Sequence, residues 1–250
     1  MADPAGRPPV FIADHASLQR DTVVLSGSEG RHAATVRRLR PGERADVIDG
    51  DGMIAECVVA AARPGLLELT VLRRHQDPPP QPRICVVQAI PKGDRAEQAV
   101  EMMTEVGVDV IVPWAAERCV AVWRPAAGRS QRALDRWRST AREAAKQSRR
   151  ARIPDVTEPA ETADVLARAA TAAAAIVLEP GAGTGLGSVP VPAAGEIILI
   201  VGPEGGVSPA ETAAFAAAGA VTARLGPTVL RASTAGAAAA AVLLSTCGRW

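Results

Sequence analysis

Residues 201–211 read VGPEGGVSPAE and follow the apolar run EIILI at 196–200. Gly202, Gly205 and Gly206 can adopt positive φ and let backbone N–H and C=O groups approach a ligand closely. The helix expected to follow points its N-terminus back at this loop, which would favour an anion. No Lys-Ser/Thr pair follows, so this is not a Walker loop, and the spacing does not match GxGxxG. A tight strand-to-helix turn accounts for the same glycines. A second stretch, LGPTVLRASTAG at 225–236, repeats the pattern: a strand ending in Leu-Gly, an open segment, then a helix. Two such strand ends facing each other would offer free backbone groups to a nucleoside-like ligand. The end of VLEP (177–180) would make a third wall.

The elements that must position these loops divide at RRHQDPPPQPR (73–83), where four of residues 78–82 are proline. Such a run suits an extended spacer and neither helix nor sheet interior. Residues 1–77 form one expected domain and 83–250 the other. In the first, 22–27, 44–50, 53–62 and 66–74 are short apolar or alternating runs separated by DGDG and RPG. They predict a small β-barrel, with one short helix at 30–40.

In the second domain, apolar strands at 84–90, 109–115, 174–180, 196–202 and 222–226 alternate with helices at 94–108, 132–150, 208–219 and from about 234. Ser208, Pro209 and Glu211 form a helix start with a capping box. This alternation predicts a mostly parallel sheet covered by helices, an α/β fold whose ligands bind beyond the carboxyl ends of its strands.

Net charge is +1, which by itself points to no partner. Its distribution is uneven: ten Lys/Arg stand against two acids between Arg124 and Arg152. Arg138, Arg142, Lys146 and Arg149/Arg150 follow one helix face, while Leu134, Trp137, Ala141, Ala145 and Ser148 follow another. The helix can bury one side and show a basic stripe on the other, the footprint of polyanion binding. A second basic patch, RHAATVRRLRPGER, lies at 31–44. Arginine-rich surfaces with two Phe, four Trp and no Tyr suit folded RNA better than base stacking along a single strand.

The four cysteines lie far apart without CxxC or a nearby His pair. No metal site and no disulfide framework is expected, and reduced thiols in a cytoplasm are the expectation. The N-terminus lacks the pattern of a signal peptide. The run AGAAAAAVLL (235–244) falls short of the roughly 18 apolar residues of a membrane span, so a buried helix and no membrane partner are expected.

PKGDRAEQAVEMMTEVGVDVIVPWAAERCV (91–120), RWRSTAREAAKQSRRARIPDV (136–156), VGPEGGVSPAE and LGPTVLRASTAG occur in this order after a small β-domain. In this combination the chain resembles the RsmE family, the bacterial 16S ribosomal RNA (uracil-1498-N3)-methyltransferases. The resemblance spans nearly the whole chain and is strongest in 91–156 and 197–236.

It implies a SPOUT fold with a C-terminal trefoil knot, a PUA-like RNA-binding domain before it, S-adenosylmethionine as cofactor, and a homodimer. The cofactor would contact Leu178, Gly202, Pro203, Glu204, Gly205, Gly206, Leu225, Gly226, Leu230, Ser233 and Thr234. Arg231 would stabilise the uracil oxygens, and Glu204 would act as a base or an orienting group; for both, loop-fixing hydrogen bonds are the alternative role. The RNA surface would include Arg31, His32, Arg37, Arg38, Lys92, Arg95, Arg118, Arg142, Gln147, Arg149 and Arg150; for His32 a surface or capping role is the alternative.

One departure stands out. Many family members read LRTETA where this chain reads LRASTA, so Ser233 replaces a Glu that could have served as base. Competing readings are a SPOUT methyltransferase for another RNA and a non-catalytic RNA-binding assembly factor. A small-molecule methyltransferase would leave the basic helix idle.

Overall fold

A computed structural model describes residues 7–91, 95–120, 123 and 128–250. The chain forms two units: residues up to Pro79 together with Ala145–Ile153, and Pro80–Ala144 together with Pro154–Trp250.

The first unit holds β1 (Val10–Ile12), α1 (His15–Leu18), β2 (Thr22–Leu25), α2 (Gly27–Arg31), β3 (Arg44–Ile48), β4 (Met53–Arg63) and β5 (Leu66–Gln76). The strands make one sheet in the order β1-β3-β4-β5-β2, antiparallel throughout except for β1 on β3. Alternation decides its buried face: Ala55, Cys57 and Val59 from β4 and Leu67 and Leu69 from β5 meet Phe11, Val23, Leu25 and Val47. Register shifts at Glu56/Cys57 and Val59/Ala61 increase the twist of the long β4–β5 pair.

The helix expected at 30–40 begins earlier, at Gly27, and runs on through one π-helical turn, His32–Val36. It stops because Arg38 takes φ +54, a left-handed conformation that no helix continues. Gly30 is obligatory here, since a Cβ would lie 2.4 Å from the Gly65 carbonyl oxygen.

Ala145–Ile153 joins this unit through buried and backbone contacts. Lys146 Nζ meets Glu29 Oε1 at 2.9 Å, with both side chains largely out of solvent. Ile153 N–H donates to Gly50 O, and Gly52 N–H to Ala151 O. Lys146, expected on a solvent-facing stripe, is therefore half of a buried ion pair. The helix reaches the β-unit in its last turn, which period-3.6 reasoning within one segment does not foresee.

The second unit contains β6 (Arg83–Ala89), α3 (Arg95–Val106), β7 (Val110–Trp114), most of α4 (Gly128–Gln147), β8 (Asp155–Val156), α5 (Thr162–Thr171), β9 (Ala174–Leu178), β10 (Glu196–Val201), α6 (Pro209–Ala217), β11 (Val221–Ala223) and α7 (Ala232–Thr246). Its six strands are all parallel, in the order β11-β9-β10-β6-β7-β8. β6, β7 and β10 are buried on both faces, which is why they read as continuous apolar runs.

On one face Val165 and Ala169 of α5 and Phe215 of α6 pack on Cys85, Val87, Ile198 and Ile200; Trp114 stacks edge-to-face on Phe215 at 5.6 Å. On the other, α7 lies on β6 beside α3. A Cβ on its Gly236 would meet Gln88, Met103 and Val86. The Ala-rich run is thus a packed core helix, and no described helix is long and apolar enough to cross a membrane. Helix α5, which starts on a capping box of Glu161 and Asp164, and the two-residue β8 are not among the expected elements and come from the structure.

Candidate cofactor site

Because β11, β9 and β10 are neighbours and parallel, their carboxyl ends lie along one edge of the sheet. Three loops leave that edge. After β10, the chain doubles back so tightly that a Cβ on Gly202 would sit 2.8 Å from Val207 Cγ2 and 3.0 Å from Val207 N. Gly206 takes φ +72 and donates its N–H to Pro203 O at 2.8 Å. Helix α6 then starts on the expected capping box: Ser208 Oγ accepts Glu211 N–H, and Glu211 Oε2 accepts Ser208 N–H. After β11, residues 225–231 run over the surface to α7, whose N-cap is Arg231, without a side-chain cap bond. After β9 come Glu179 and Pro180.

These loops enclose a cavity of about 320 Å³, within the ~300–1,000 Å³ typical of small-ligand sites. Eight of the residues expected to contact cofactor line it: Leu178, Gly202, Pro203, Glu204, Gly206, Leu225, Gly226 and Leu230. Gly205, Ser233 and Thr234 do not. Gly205 faces outward against Arg118, Ser233 is buried within α7 at 4 % exposure, and Thr234 is on the exposed side of that helix.

Arg231 lines the cavity as the N-cap of α7, so a cationic residue and the positive end of the helix meet at one corner of it. Glu179 and Glu204 bring carboxylates to the wall. Glu179 is the functional candidate that residue-by-residue reading passed over, although it stands inside VLEP next to Leu178; Pro180, Val201, Val207, Thr228, Val229, Ala232 and Ala235 complete the lining.

The chemistry of this set fits a nucleoside cofactor that carries cationic groups. Val201, Val207, Leu178, Leu225 and Leu230 can sandwich a flat base, while backbone groups at the glycine turns can read its edge. The two carboxylates can accept from hydroxyls or an ammonium. Among the described residues no cluster of His, Cys, Asp and Glu could hold a metal ion.

The expected RNA contacts scatter in their surroundings. In the first unit Arg31, Arg37 and Arg38 are exposed, and His32 is half-buried with its ring edge-on to Phe11 at 6.1 Å. Gln147 is exposed and Arg150 half-buried. Arg149 takes φ +60 and donates to the Pro8 and Arg7 carbonyls. In the second unit Arg95 and Arg142 are exposed. Arg118 Nη1 donates to Gly205 O at 3.0 Å. Arg138, expected on the basic stripe, is engaged by Glu158 Oε1 and Val156 O. Lys92 lies outside the described residues.

The comparisons agree with this anatomy. Residues 78–244 match the model of an RNA methyltransferase domain, and 25–72 that of an RNA methyltransferase PUA domain. The chain is 48 % identical to the ribosomal RNA small subunit methyltransferase E of Mycobacterium bovis, over 96 % of this chain and 93 % of that protein. It is 26 % identical to the one from Bacillus subtilis, over 86 % of each. Among solved structures, that of ribosomal RNA small subunit methyltransferase E from Neisseria gonorrhoeae bound to S-adenosyl methionine superposes with a TM-score of 0.84 at 27 % identity, covering 96 % of this chain and 98 % of that one. A Legionella pneumophila methyltransferase in complex with the same cofactor gives 0.84 at 25 % identity, with the same coverage.

Fold and cavity together define a SPOUT-type RNA methyltransferase domain joined to a PUA domain. Within that class, the chain belongs to the ribosomal RNA small subunit methyltransferase E family.

Proposed function

We propose that this chain methylates N3 of one uridine of 16S ribosomal RNA, the position 1498 equivalent, using S-adenosylmethionine, and that it works as a cytoplasmic homodimer. The observation that carries the reading is the cavity at the ends of β9, β10 and β11. Its backbone-lined walls, with Arg231 at the mouth of α7, occur in a chain 48 % identical to a small-subunit rRNA methyltransferase.

When bound, the cofactor supplies an electrophilic methyl group. The residues of the chain have three tasks around it. The glycine loops and apolar walls hold the cofactor in place and exclude water, so that orientation lowers much of the barrier. Uridine N3 carries a proton that must leave; Glu204, on the cavity wall, accepts or orients it. Negative charge then grows on the uracil oxygens, and Arg231 with the α7 N-terminus stabilises it electrostatically. Ser233 takes no proton in this scheme: it is buried in α7, and its hydroxyl is not a base at neutral pH.

Arg31, His32, Arg37 and Arg38 of the PUA domain bind the RNA together with Arg95, Arg142, Gln147, Arg149 and Arg150. Lys92 is included on its sequence motif. In this reading residues 1–77 dock the RNA and 83–250 carry the reaction. A trefoil knot in the second domain is part of the same reading. It is supported by the segment 181–189, which is tied to Arg224 by its Ala182, Gly183 and Thr184 carbonyls and packs on α7.

The test is methyl transfer from labelled cofactor to 30S particles and to free 16S RNA from a strain lacking the enzyme, followed by mass mapping of the product. The expected product is a single N3-methyluridine. Label confined to transfer RNA or to another ribosomal position overturns the substrate, and no transfer with no cofactor binding overturns the enzyme.

A further inference from the structure

Glu211 does more than cap its helix. A capping box uses one carboxylate oxygen, and here Oε2 takes the Ser208 N–H at 3.1 Å. The other oxygen, Oε1, accepts two bonds that no helix start requires: the backbone N–H of Glu117 at 2.9 Å and the Thr162 hydroxyl at 3.0 Å. Glu117 belongs to the loop after β7, on a different strand from the GPEGG loop. The Thr162 oxygen itself accepts the Trp114 indole N–H, which leaves its proton to Glu211. Glu117 returns the contact through Oε2, which accepts the Ser208 hydroxyl.

The carboxylate of Glu211 is thus fully used at 5 % exposure, where no water replaces a lost partner. One residue further on, Arg118 Nη1 donates to the Gly205 carbonyl at 3.0 Å. Gly205 alone of residues 202–207 does not line the cavity, because it faces Arg118.

We propose that the loop after β7 sets the cofactor wall from its outer side, with Glu211 and Arg118 as positioning residues for Pro203–Gly206. Neither touches the cavity. Glu211 fixes where the β7 loop stands relative to α6, and Arg118 holds the wall against that loop. The inference rests on the cavity being the cofactor site. It also separates Arg118 from the RNA surface on which its charge would place it.

The experiment is calorimetric titration of the full chain with S-adenosylmethionine, paired with filter binding of a 16S RNA fragment and methyl transfer at saturating cofactor. Because one charge-assisted hydrogen bond orders the wall, Arg118→Ala is expected to raise the cofactor Kd about five- to tenfold. Arg118→Lys should recover part of that loss. RNA affinity should stay within about twofold, since Arg118 makes no contact with RNA in this reading, and kcat at saturating cofactor should fall by no more than the Kd rises, because the displaced wall carries Glu204 with it.

Glu211→Gln keeps an acceptor for Glu117 and Thr162 but meets Ser208 N–H with a second donor, and should raise Kd by about threefold. Arg118 is exposed, so its variants test the proposal even if those at Glu211 fail to fold. Cofactor affinity unchanged in the Arg118 variants overturns the proposal, most plainly if RNA affinity falls instead. A wild-type chain that does not bind the cofactor overturns the functional reading itself.

Discussion

The two glycine walls of the cavity are built in opposite ways. The 202–207 wall is fastened: Pro203 and Val207 are buried, Gly206 N–H bonds Pro203 O, and the capped helix α6 follows at once. The 225–231 wall is open. None of Leu225–Leu230 makes a backbone–backbone hydrogen bond with a described residue, and Val229 is 77 % exposed. A fastened wall suits a small ligand that is held the same way in every turnover, the cofactor. An open wall ending in Arg231 suits the part that must admit an RNA base. On the proposed reading, the fastened wall holds the cofactor and presents Glu204 from a fixed frame, while the open wall adds cofactor contacts and, through Arg231, meets the RNA base.

The largest effect expected from this division lies in the open wall. Arg231→Ala should lower methyl transfer about 100- to 1,000-fold, the usual cost of removing one group that stabilises developing charge. Cofactor affinity should hold within about threefold by calorimetry. Loss of cofactor binding instead would erase the division.

The glycines come next. Gly202→Ala forces a Cβ into Val207 and should raise the cofactor Kd at least about tenfold. Gly226→Ala, with φ +74 but nothing within 4 Å of its Cβ, should cost no more than about fivefold, from backbone strain alone. Equal losses in the two variants would mean that the walls are equally rigid.

Hydrogen exchange sharpens the same contrast. Amides of 225–231 should exchange fast in the free protein and gain about tenfold protection with S-adenosylmethionine, while those of 203–207 change less.

The smallest effect concerns the two cores, where the units behave alike. Burial pushes the thiols of Cys57 in the first sheet and Cys85 in the second up to about 12. Both should stay protonated and resist iodoacetamide between pH 7 and 9, with no rise in labelling across that range, whereas denaturant should expose all four cysteines. Labelling of Cys85 but not Cys57 in the native protein would show that the sheet carrying the cavity opens more readily than the other.

Much of this was legible without coordinates. Short apolar runs such as EIILI and ICVVQA are strands buried on both faces; their length and β-branched residues favour a strand over a buried helix. The start of α6 was legible because Ser208, Pro209 and Glu211 act within one turn. Glu179 sat in plain view inside VLEP, yet a single carboxylate after a strand carries no spacing signal. Lys146 misled for the converse reason: its helical phase matched a solvent-facing stripe, but its partner, Glu29, lies 117 residues away.

By itself the sequence determined local conformation, the alternation of strand and helix, the glycine strand ends and, through four ordered motifs, the family. These depend on interactions within a few residues, or on a pattern long enough to be specific. Tertiary structure alone decided that β11, β9 and β10 stand side by side, so that three separate loops close on one cavity. It also decided which charges face solvent and which are spent on partners: Lys146 on Glu29, Arg138 on Glu158, Arg118 on Gly205. The physical reason is the same throughout. A charge or a strand end acquires its role from whatever lies within a few ångströms, and those neighbours come from distant parts of the chain.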